Sequence, residues 1–309
     1  MAGFDRILIA LELGGDDSST LAFANRLIRA HRPKRIDLVH VMDTRMVPDA
    51  ILEKYGNWLR PAKRRRTERL EEAVTAKLEL EEGTEVTKHI LSGAPVARIL
   101  ETSALQGTSL IITGRSPHGN RIATLPIRVA RRANCSVLVV PRGSRDRLQR
   151  ILIPIDFSER SAYAVEVAAE LTRGHSSPQL RGLHAFALPP GARRSGTSEK
   201  KLIQLVRKYA ERVFEEFRAG LGDPTVLLEM ECVFDLYPSH AVLEAAQPGR
   251  CDLVVLGVRA SSVGGAEQLG RVAARVLHES NVPVLVTRRY YETSRPAGQE
   301  AAQFDAAAG

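Results

Sequence analysis

The sequence predicts two tandem α/β domains, each a doubly wound, Rossmann-like parallel sheet of five strands. Chain length, an internal repeat and a regular alternation of strands and helices support this fold class. The chain has 309 residues, and about 150 residues is usual for one domain. Because 44% of the residues are hydrophobic, two ordinary cores can form and a disordered chain is excluded.

The internal repeat sets the predicted domain boundaries. Three segments recur at nearly constant spacing: Arg6–Ile9 as Arg150–Ile153, Ser109–Gly114 as Asp252–Gly257, and Val137–Val139 as Val284–Val286. The spacing grows between the last two pairs because the first half is four residues shorter before its fifth strand. The repeat predicts a first domain at 1–142, a polar linker at 143–149, a second domain at 150–289 and a flexible tail at 290–309.

Each half alternates β-branched runs, which predict strands, with amphipathic patterns, which predict helices. In the first half the predicted strands are Arg6–Leu11, Arg35–Val41, Glu85–Leu91, Ser109–Thr113 and Ser136–Val140, and the predicted helices are Ser19–Ala30, Ala62–Leu80, Pro95–Ser103 and Thr124–Arg132. In the second half the predicted strands are Arg150–Ile155, Leu180–Phe186, Val226–Val233, Asp252–Leu256 and Val284–Thr287. Short apolar strands separated by helices predict a mostly parallel sheet that is covered on both faces.

Two corresponding connections differ in composition. Pro189–Lys201 combines proline, glycine, arginine and serine, which predicts a surface loop. Its counterpart Pro48–Arg60 contains Ile51, Trp58 and other apolar residues. We therefore expect this first-half segment to be ordered and to pack over the sheet or on a partner.

Charge and cysteine content limit the classes of partner. The net charge of +8 permits acidic partners, but nucleic-acid binding is not expected because no zinc-knuckle, helix-turn-helix or aromatic–basic RNA signature is present. The three cysteines lack CxxC spacing, which argues against a disulfide framework or a cysteine-rich metal site and fits a reducing cytosol. Without an apolar run of about 18 residues, we expect a cytoplasmic chain without membrane contact.

Candidate ligand-binding residues follow strands one and four of the second half. In a doubly wound sheet, ligands bind beyond the carboxyl ends of the strands. The Asp156 carboxylate could accept hydrogen bonds from an adenine amino group or a ribose hydroxyl, and amides near Gly270 could hold phosphate at a helix N-terminus. The alternative is purely structural: Asp156 and Ser158 are capping residues, and Gly257 and Gly270 are turn and helix-start glycines.

Three segments of the second half carry a resemblance to a known family. Ile151–Ser158 (Ile-Leu-Ile-Pro-Ile-Asp-Phe-Ser), Asp252–Gly257 and Asn281–Val286 resemble the universal stress protein family. The resemblance covers about residues 4–141 and 149–288 and implies a tandem member. It implies a five-stranded parallel α/β sandwich, a cytoplasmic location and a non-enzymatic role in stress response. Many members bind ATP through Gly-x2-Gly-x9-Gly followed by Ser or Thr, and others lack this motif and do not.

The second half keeps the spacing of this motif with two changed residues. It reads Gly257-x2-Ala260-x9-Gly270-Arg271, so alanine replaces the middle glycine and arginine replaces the Ser/Thr. Arg271 could pair with a phosphate or fill the phosphate space, and both readings stay open. Together with Asp156, these four residues are the candidate lining of an ATP pocket.

The first half departs further from the family motif. Glu12 stands at the position of Asp156, and Ala10 replaces the proline at 154. The loop after Gly114 is short, so that only Thr124 matches the last Gly-Ser pair. We therefore expect the first domain to have lost the family's phosphate site.

Three competing motif interpretations are weaker. Gly114-x4-Gly119 lacks the Lys-Ser/Thr of a Walker loop. Leu13–Ser19 resembles the loop of AMP-forming ATP pyrophosphatases but lacks its first serine. His40 and His184 are equivalent by the repeat, which explains them without a metal site. With no interpretable catalytic set, the leading hypothesis is a non-enzymatic protein with a modified nucleotide pocket; the alternative is a nucleotide-free scaffold or small-ligand protein of the same fold.

The final strands of the two halves predict the assembly. The resemblance implies dimerisation through such strands, here Val137–Val139 and Val284–Val286. Because an unpaired apolar edge favours aggregation, pairing both edges within one chain is stabilising. The sequence therefore predicts an internal pseudo-dimer, and Ile51–Leu59 is one surface through which a homodimer of chains could form.

Overall fold

The computed structural model describes residues 4–13, 17–47, 50–51, 54, 56–80, 82–115, 125–173, 177–188, 191–192, 196–223, 226–258 and 269–289. In the first half the elements are β1 Arg6–Ala10, α1 Ser18–His31, β2 Arg35–Asp43, α2 Arg60–Lys77, β3 Glu85–Gly93, α3 Pro95–Leu105, β4 Leu110–Arg115, α4 Leu125–Arg132 and β5 Ser136–Pro141. In the second half they are β6 Arg150–Pro154, α5 Glu159–Leu171, β7 Gln179–Phe186, α6 Glu199–Ala219, β8 Leu228–Phe234, α7 Pro238–Ala245, β9 Leu253–Gly257, α8 Arg271–Glu279 and β10 Val284–Thr287.

All of these strands belong to one sheet, in the order β3-β2-β1-β4-β5-β10-β9-β6-β7-β8. Neighbouring strands within each half are parallel. At the centre, β5 and β10 pair antiparallel, with Val284 opposite Val139 and Val286 opposite Val137. The two final strands thus cover each other's edges, which is the pairing that the edge-strand argument predicts.

The sheet carries a core on each face, as its sequence pattern predicts. Along β1, Ile7 and Ile9 belong to one cluster, whereas Leu8 belongs to the other. The first cluster includes Phe23 of α1, and the second includes Val276 of α8. Because each cluster contains residues from both halves, the two domains share a continuous core through the β5–β10 junction.

Two arginines connect the halves at helix ends. Arg115, at the end of β4, donates to the carbonyl of Leu277 at 3.1 Å and to two neighbouring carbonyls at the end of α8. Arg288, just after β10, donates to the carbonyls of Ala130 at 2.5 Å and Cys135 at 3.4 Å, at the end of α4. Burial lowers the pKa of Arg288 to about 10. Each half therefore supplies donors for carbonyls that the other half's last helix leaves unpaired.

The prediction of a loop over Pro189–Lys201 is wrong at its C-terminal end. Helix α6 begins at Glu199, and the Ser198 hydroxyl accepts a hydrogen bond from the Lys201 amide at 3.4 Å. Serine as N-cap followed by glutamate in the first turn is a helix-start signal that the loop composition concealed. The polar linker also has one core residue, because Leu148 is buried.

Two predicted segments are described only in part or not at all. In the apolar segment before α2, Gly56–Leu59 forms a 3₁₀ turn that leads directly into the helix, and Ile51 is exposed. The tail 290–309 lies outside the described residues. Within the part of the chain that is described, no helix is long and apolar enough to cross a bilayer.

The thiols provide a direct check of this packing. Cys135 and Cys251 are buried, and Cys232 is half-buried. Burial raises the pKa of Cys251 to about 11, so it stays protonated and unreactive at neutral pH. We expect a disulfide-exchange reagent at pH 8 to modify Cys232 first, and the other two cysteines only after denaturant is added. Equally rapid reaction of all three in native protein would contradict the packing.

Candidate functional site

The structure brings several predicted site residues to one edge of the second half. β6 and β9 are parallel neighbours, so their carboxyl ends meet at the same edge. Asp156 lies two residues after β6, Gly257 ends β9, and Gly270 immediately precedes α8. Ala260 lies outside the described residues. This edge is where the strand order of the second half reverses, the usual ligand position in doubly wound sheets.

Asp156 organises the loop after β6. Its carboxylate accepts hydrogen bonds from the amide of Ser158 at 3.1 Å and from the Ser158 hydroxyl, and a guanidinium nitrogen of Arg160 lies 3.6 Å away. Burial by itself raises the pKa of Asp156, but these hydrogen bonds and the Arg160 charge outweigh it and leave the pKa below its ordinary value. The side chain is nevertheless 64% exposed, so the ionised carboxylate can also meet a ligand.

Ser158 is a helix cap. Its hydroxyl accepts a hydrogen bond from the Ser161 amide at 3.4 Å at the start of α5. Phe157, just before it, has φ of +59°. The corresponding residue of the first half, Leu13, has φ of +53°, so both halves turn out of their first strand through the same unusual backbone conformation. The sequence does not predict this positive φ, because neither Leu13 nor Phe157 is glycine.

His40 and His184 make the same structural contact in the two halves. The Nδ1 atom of His184 lies 2.9 Å from the carbonyl oxygen of Ile155, and that of His40 lies 2.9 Å from the carbonyl oxygen of Leu11. Since a carbonyl only accepts, each Nδ1 carries the proton. The Phe157 ring also packs on His184, with centroids 4.5 Å apart. Both histidines thus fix the chain where it leaves the first strand of its domain.

Gly257 is required by packing. A Cβ atom built on it would lie 2.1 Å from the carbonyl oxygen of Arg160 and 2.5 Å from its carbon, both backbone atoms of α5. The corresponding Gly114 is less confined, because its Cβ would lie 2.8 Å from the hydroxyl oxygen of Thr20. The glycine at the end of β9 therefore allows α5 to approach the sheet, whether or not a ligand is present.

Gly270 and Arg271 form an open helix end. Gly270 caps α8 with φ of −55°, and a Cβ atom built on it would meet nothing among the described residues within 4 Å. Arg271 is exposed and forms no hydrogen bond or ion pair with the described part of the chain. The first amides of a helix have no intrahelical acceptor. With respect to the described residues, this edge thus presents amides and a guanidinium without partners, a suitable environment for an anion.

At the corresponding edge of the first half, charged side chains bind the described backbone just after β1. The Asp17 carboxylate accepts hydrogen bonds from the amides of Glu12 at 3.2 Å and Leu13 at 2.9 Å. Arg66 and Arg69 donate to the Leu13 carbonyl at 3.2 and 3.4 Å. Burial and the nearby Asp17 charge raise the pKa of Glu12. Thr124 and Gly119 lie outside the described residues.

A groove among the described residues lies away from this edge. It encloses about 570 Å³ along α2 and is lined by Glu68, Glu71, Glu72, Thr75 and Ala76. Three carboxylates in an open groove repel a nucleotide's phosphates. The size of this groove therefore does not make it the better nucleotide site.

The fold and site define a class of protein, namely tandem doubly wound α/β domains with a ligand edge beyond the parallel strands. The model of the universal stress protein family matches residues 3–141 and 147–288, and the chain belongs to this family. A Thermus aquaticus protein described as "universal stress protein in QAH/OAS sulfhydrylase 3'region" is 30% identical over 138 residues, which are 45% of this chain and 97% of that protein.

Solved structures agree on the tandem fold. A universal stress protein from Archaeoglobus fulgidus DSM 4304 has a TM-score of 0.60 and 18% identity, with 93% of this chain and 99% of that chain covered. A protein from Pseudomonas aeruginosa UCBPP-PA14 described as a putative universal stress protein has a TM-score of 0.61 and 18% identity, with 94% and 95% covered. At this identity the likeness establishes the fold alone.

Proposed function

We propose that this chain is a non-enzymatic stress-response protein whose second half binds an adenine nucleotide in a modified pocket. The observation that carries the proposal is the open N-terminus of α8 at Gly270, on the same edge as the exposed carboxylate of Asp156. A phosphate needs amide donors and space, and a nucleoside needs an acceptor; this edge offers all three. Further support is the exposed guanidinium of Arg271, which has no partner in the described part of the chain.

The residues at this edge suit the two ends of ATP, its phosphates and its nucleoside. The amides at the start of α8 and the guanidinium of Arg271 would hold phosphate oxygens, and Asp156 would accept from the adenine or ribose. Gly257, with Ala260 in the loop beyond it, would line the pocket between these ends. The Ser158 hydroxyl, which donates to Asp156, is also the N-cap of α5, and we propose that the nucleotide is held and not cleaved.

The alternative is a nucleotide-free scaffold or small-ligand protein of the same fold. Contacts within the protein account for two motif residues and favour this alternative: the Asp156 carboxylate accepts a hydrogen bond from Ser158, and Gly257 packs against α5. Neither needs a ligand in order to be retained. The two proposals differ at Arg271, for which the described contacts give no structural use.

Calorimetric titration with ATP and Mg²⁺ tests the proposal. We expect saturable binding that weakens about tenfold in Arg271→Ser, since one charge-assisted hydrogen bond contributes about 1.5 kcal/mol or more. Asp156→Ala should weaken binding as well. Arg275→Ser is the matched control, because it removes the same charge from the exposed face of the same helix, one turn from the helix start.

Each result has a distinct meaning. Tighter binding in Arg271→Ser would show that the arginine fills the phosphate space. No heat of binding in native protein, together with no nucleotide released from undialysed protein, would support the scaffold. Release of AMP and pyrophosphate from ATP would overturn the non-enzymatic assignment in favour of an ATP pyrophosphatase-like activity.

A further inference from the structure

A second, smaller cleft lies at the opposite edge of the second half, at the amino ends of β6 and β7. It encloses about 40 Å³ and is lined by Arg150, Ile151, Leu152, Gln179, Arg181, Arg250 and Cys251. In the shared parallel sheet, this edge is the far one from Asp156 and Gly270. The cleft is therefore separate from the candidate nucleotide site.

Three arginines line this cleft, and among the described residues one of them is paired with a carboxylate. Arg150 is paired with Asp252 at 2.9 Å. Arg181 donates from one nitrogen to the carbonyl of Ala245 at 3.3 Å. The exposed Arg250 side chain makes no hydrogen bond or ion pair with the described part of the chain. Because each guanidinium has five N–H donors, the described contacts leave several donors of Arg181 and Arg250 unused, and the acidic neighbour in register is Glu229, opposite Arg181 on β8.

The first half shows that the fold does not require this charge. By the internal repeat, the positions of the three arginines are occupied there by Arg6, Asp37 and Gly107. Asp37 is 1% exposed and is paired with Arg35 at 3.0 Å and His89 at 2.8 Å. The equivalent edge of the first domain is thus neutralised by its own buried carboxylate. The excess positive charge belongs to the second half alone.

We propose that this cleft binds a small tetrahedral oxyanion of the phosphate or sulfate class. The paired N–H groups of a guanidinium match the spacing of two oxygens of such an anion. These charged donors also bind the oxygens more strongly than neutral donors do. A volume of about 40 Å³ holds a few water-sized groups, whereas ligand pockets for nucleotides need several hundred Å³. Arg250 and Arg181 supply free donors, and Gln179 adds a neutral one.

The test follows the arginine Nε–Hε resonances during titration with inorganic phosphate, at ionic strength held constant with sodium chloride. Arg250→Gln and Arg181→Gln assign the cleft signals by their absence. We expect saturable shifts at the cleft arginines and about tenfold weaker phosphate binding in Arg250→Gln, the loss of one charge-assisted contact. Arg64→Gln is the control, because that side chain is 83% exposed on α2 and should leave binding unchanged.

Three results would overturn the proposal. Shifts that grow without saturation, or an equal loss in Arg64→Gln, would show general charge screening. Shifts confined to Arg271 would place the phosphate at the start of α8. An unshifted native spectrum at millimolar phosphate would exclude the site. Arg250 is exposed, so its variant is expected to fold, and an unchanged thermal transition confirms that loss of binding is local.

Discussion

Replacing Gly257 by alanine is expected to destabilise the protein by about 3 kcal/mol, at the upper end of the usual cost of overpacking. The new Cβ atom would lie 2.1 Å from the carbonyl oxygen of Arg160. That atom belongs to the backbone of α5 and cannot rotate away as a side chain would. The helix must therefore move from β9, which breaks packing around the buried Val165 and Ala168. Urea unfolding in the absence of ligand measures the effect.

Gly270→Ala is the matched control for this substitution. It adds the same methyl group to another glycine of the same motif, where nothing described lies within 4 Å and φ is −55°. We expect a loss below about 1 kcal/mol, the usual cost of alanine at a helix N-cap. Equal losses in the two variants would contradict the close approach of α5 to β9. An unchanged stability in Gly257→Ala would mean that this glycine serves only a ligand.

The contrast between these two glycines shows what the sequence could not predict. The motif spacing treats Gly257 and Gly270 alike, and only the position of Arg160 separates a packing glycine from one in open space. The strands and helices themselves were predictable because their periodicity is local. The β5–β10 pairing was predictable mainly from the family resemblance, which implies pairing through the final strands, and the cost of an unpaired apolar edge supports it.

Contacts between distant residues were not predictable in this way. Arg115 and Arg288 each donate to carbonyls about 160 residues away in the chain, and no local pattern marks an arginine for that role. The arginine cleft likewise depends on β6, β7 and the turn before β9 meeting at one edge. For Asp37, which lies between Ile36 and Leu38, the alternation of a strand predicts a polar position but not one that is buried.

Removing the buried carboxylate of Asp37 is expected to have the other large effect. Asp37→Asn leaves His89, 18% exposed, without its anionic partner, and leaves Arg35, 22% exposed, paired among the described residues with the exposed Glu85 alone, at 2.9 Å. Removing the buried partner of such a pair costs about 3 kcal/mol, because the Glu85 carboxylate that remains beside Arg35 is 64% exposed and is screened by water. We expect the free energy of unfolding to fall by about this amount in urea titrations at neutral pH.

Asp5→Asn provides the comparison, because it removes the same charge from an ion pair on the surface of the same domain. Asp5 lies 3.1 Å from Lys34, and the two side chains are 57% and 81% exposed. Water screens such a pair, so a change below about 1 kcal/mol is expected. If Asp37→Asn lowered the free energy of unfolding no more than Asp5→Asn, the Arg35–Asp37–His89 cluster would be solvated. The contrast between the buried carboxylate of the first half and the arginine cleft of the second half would then fail.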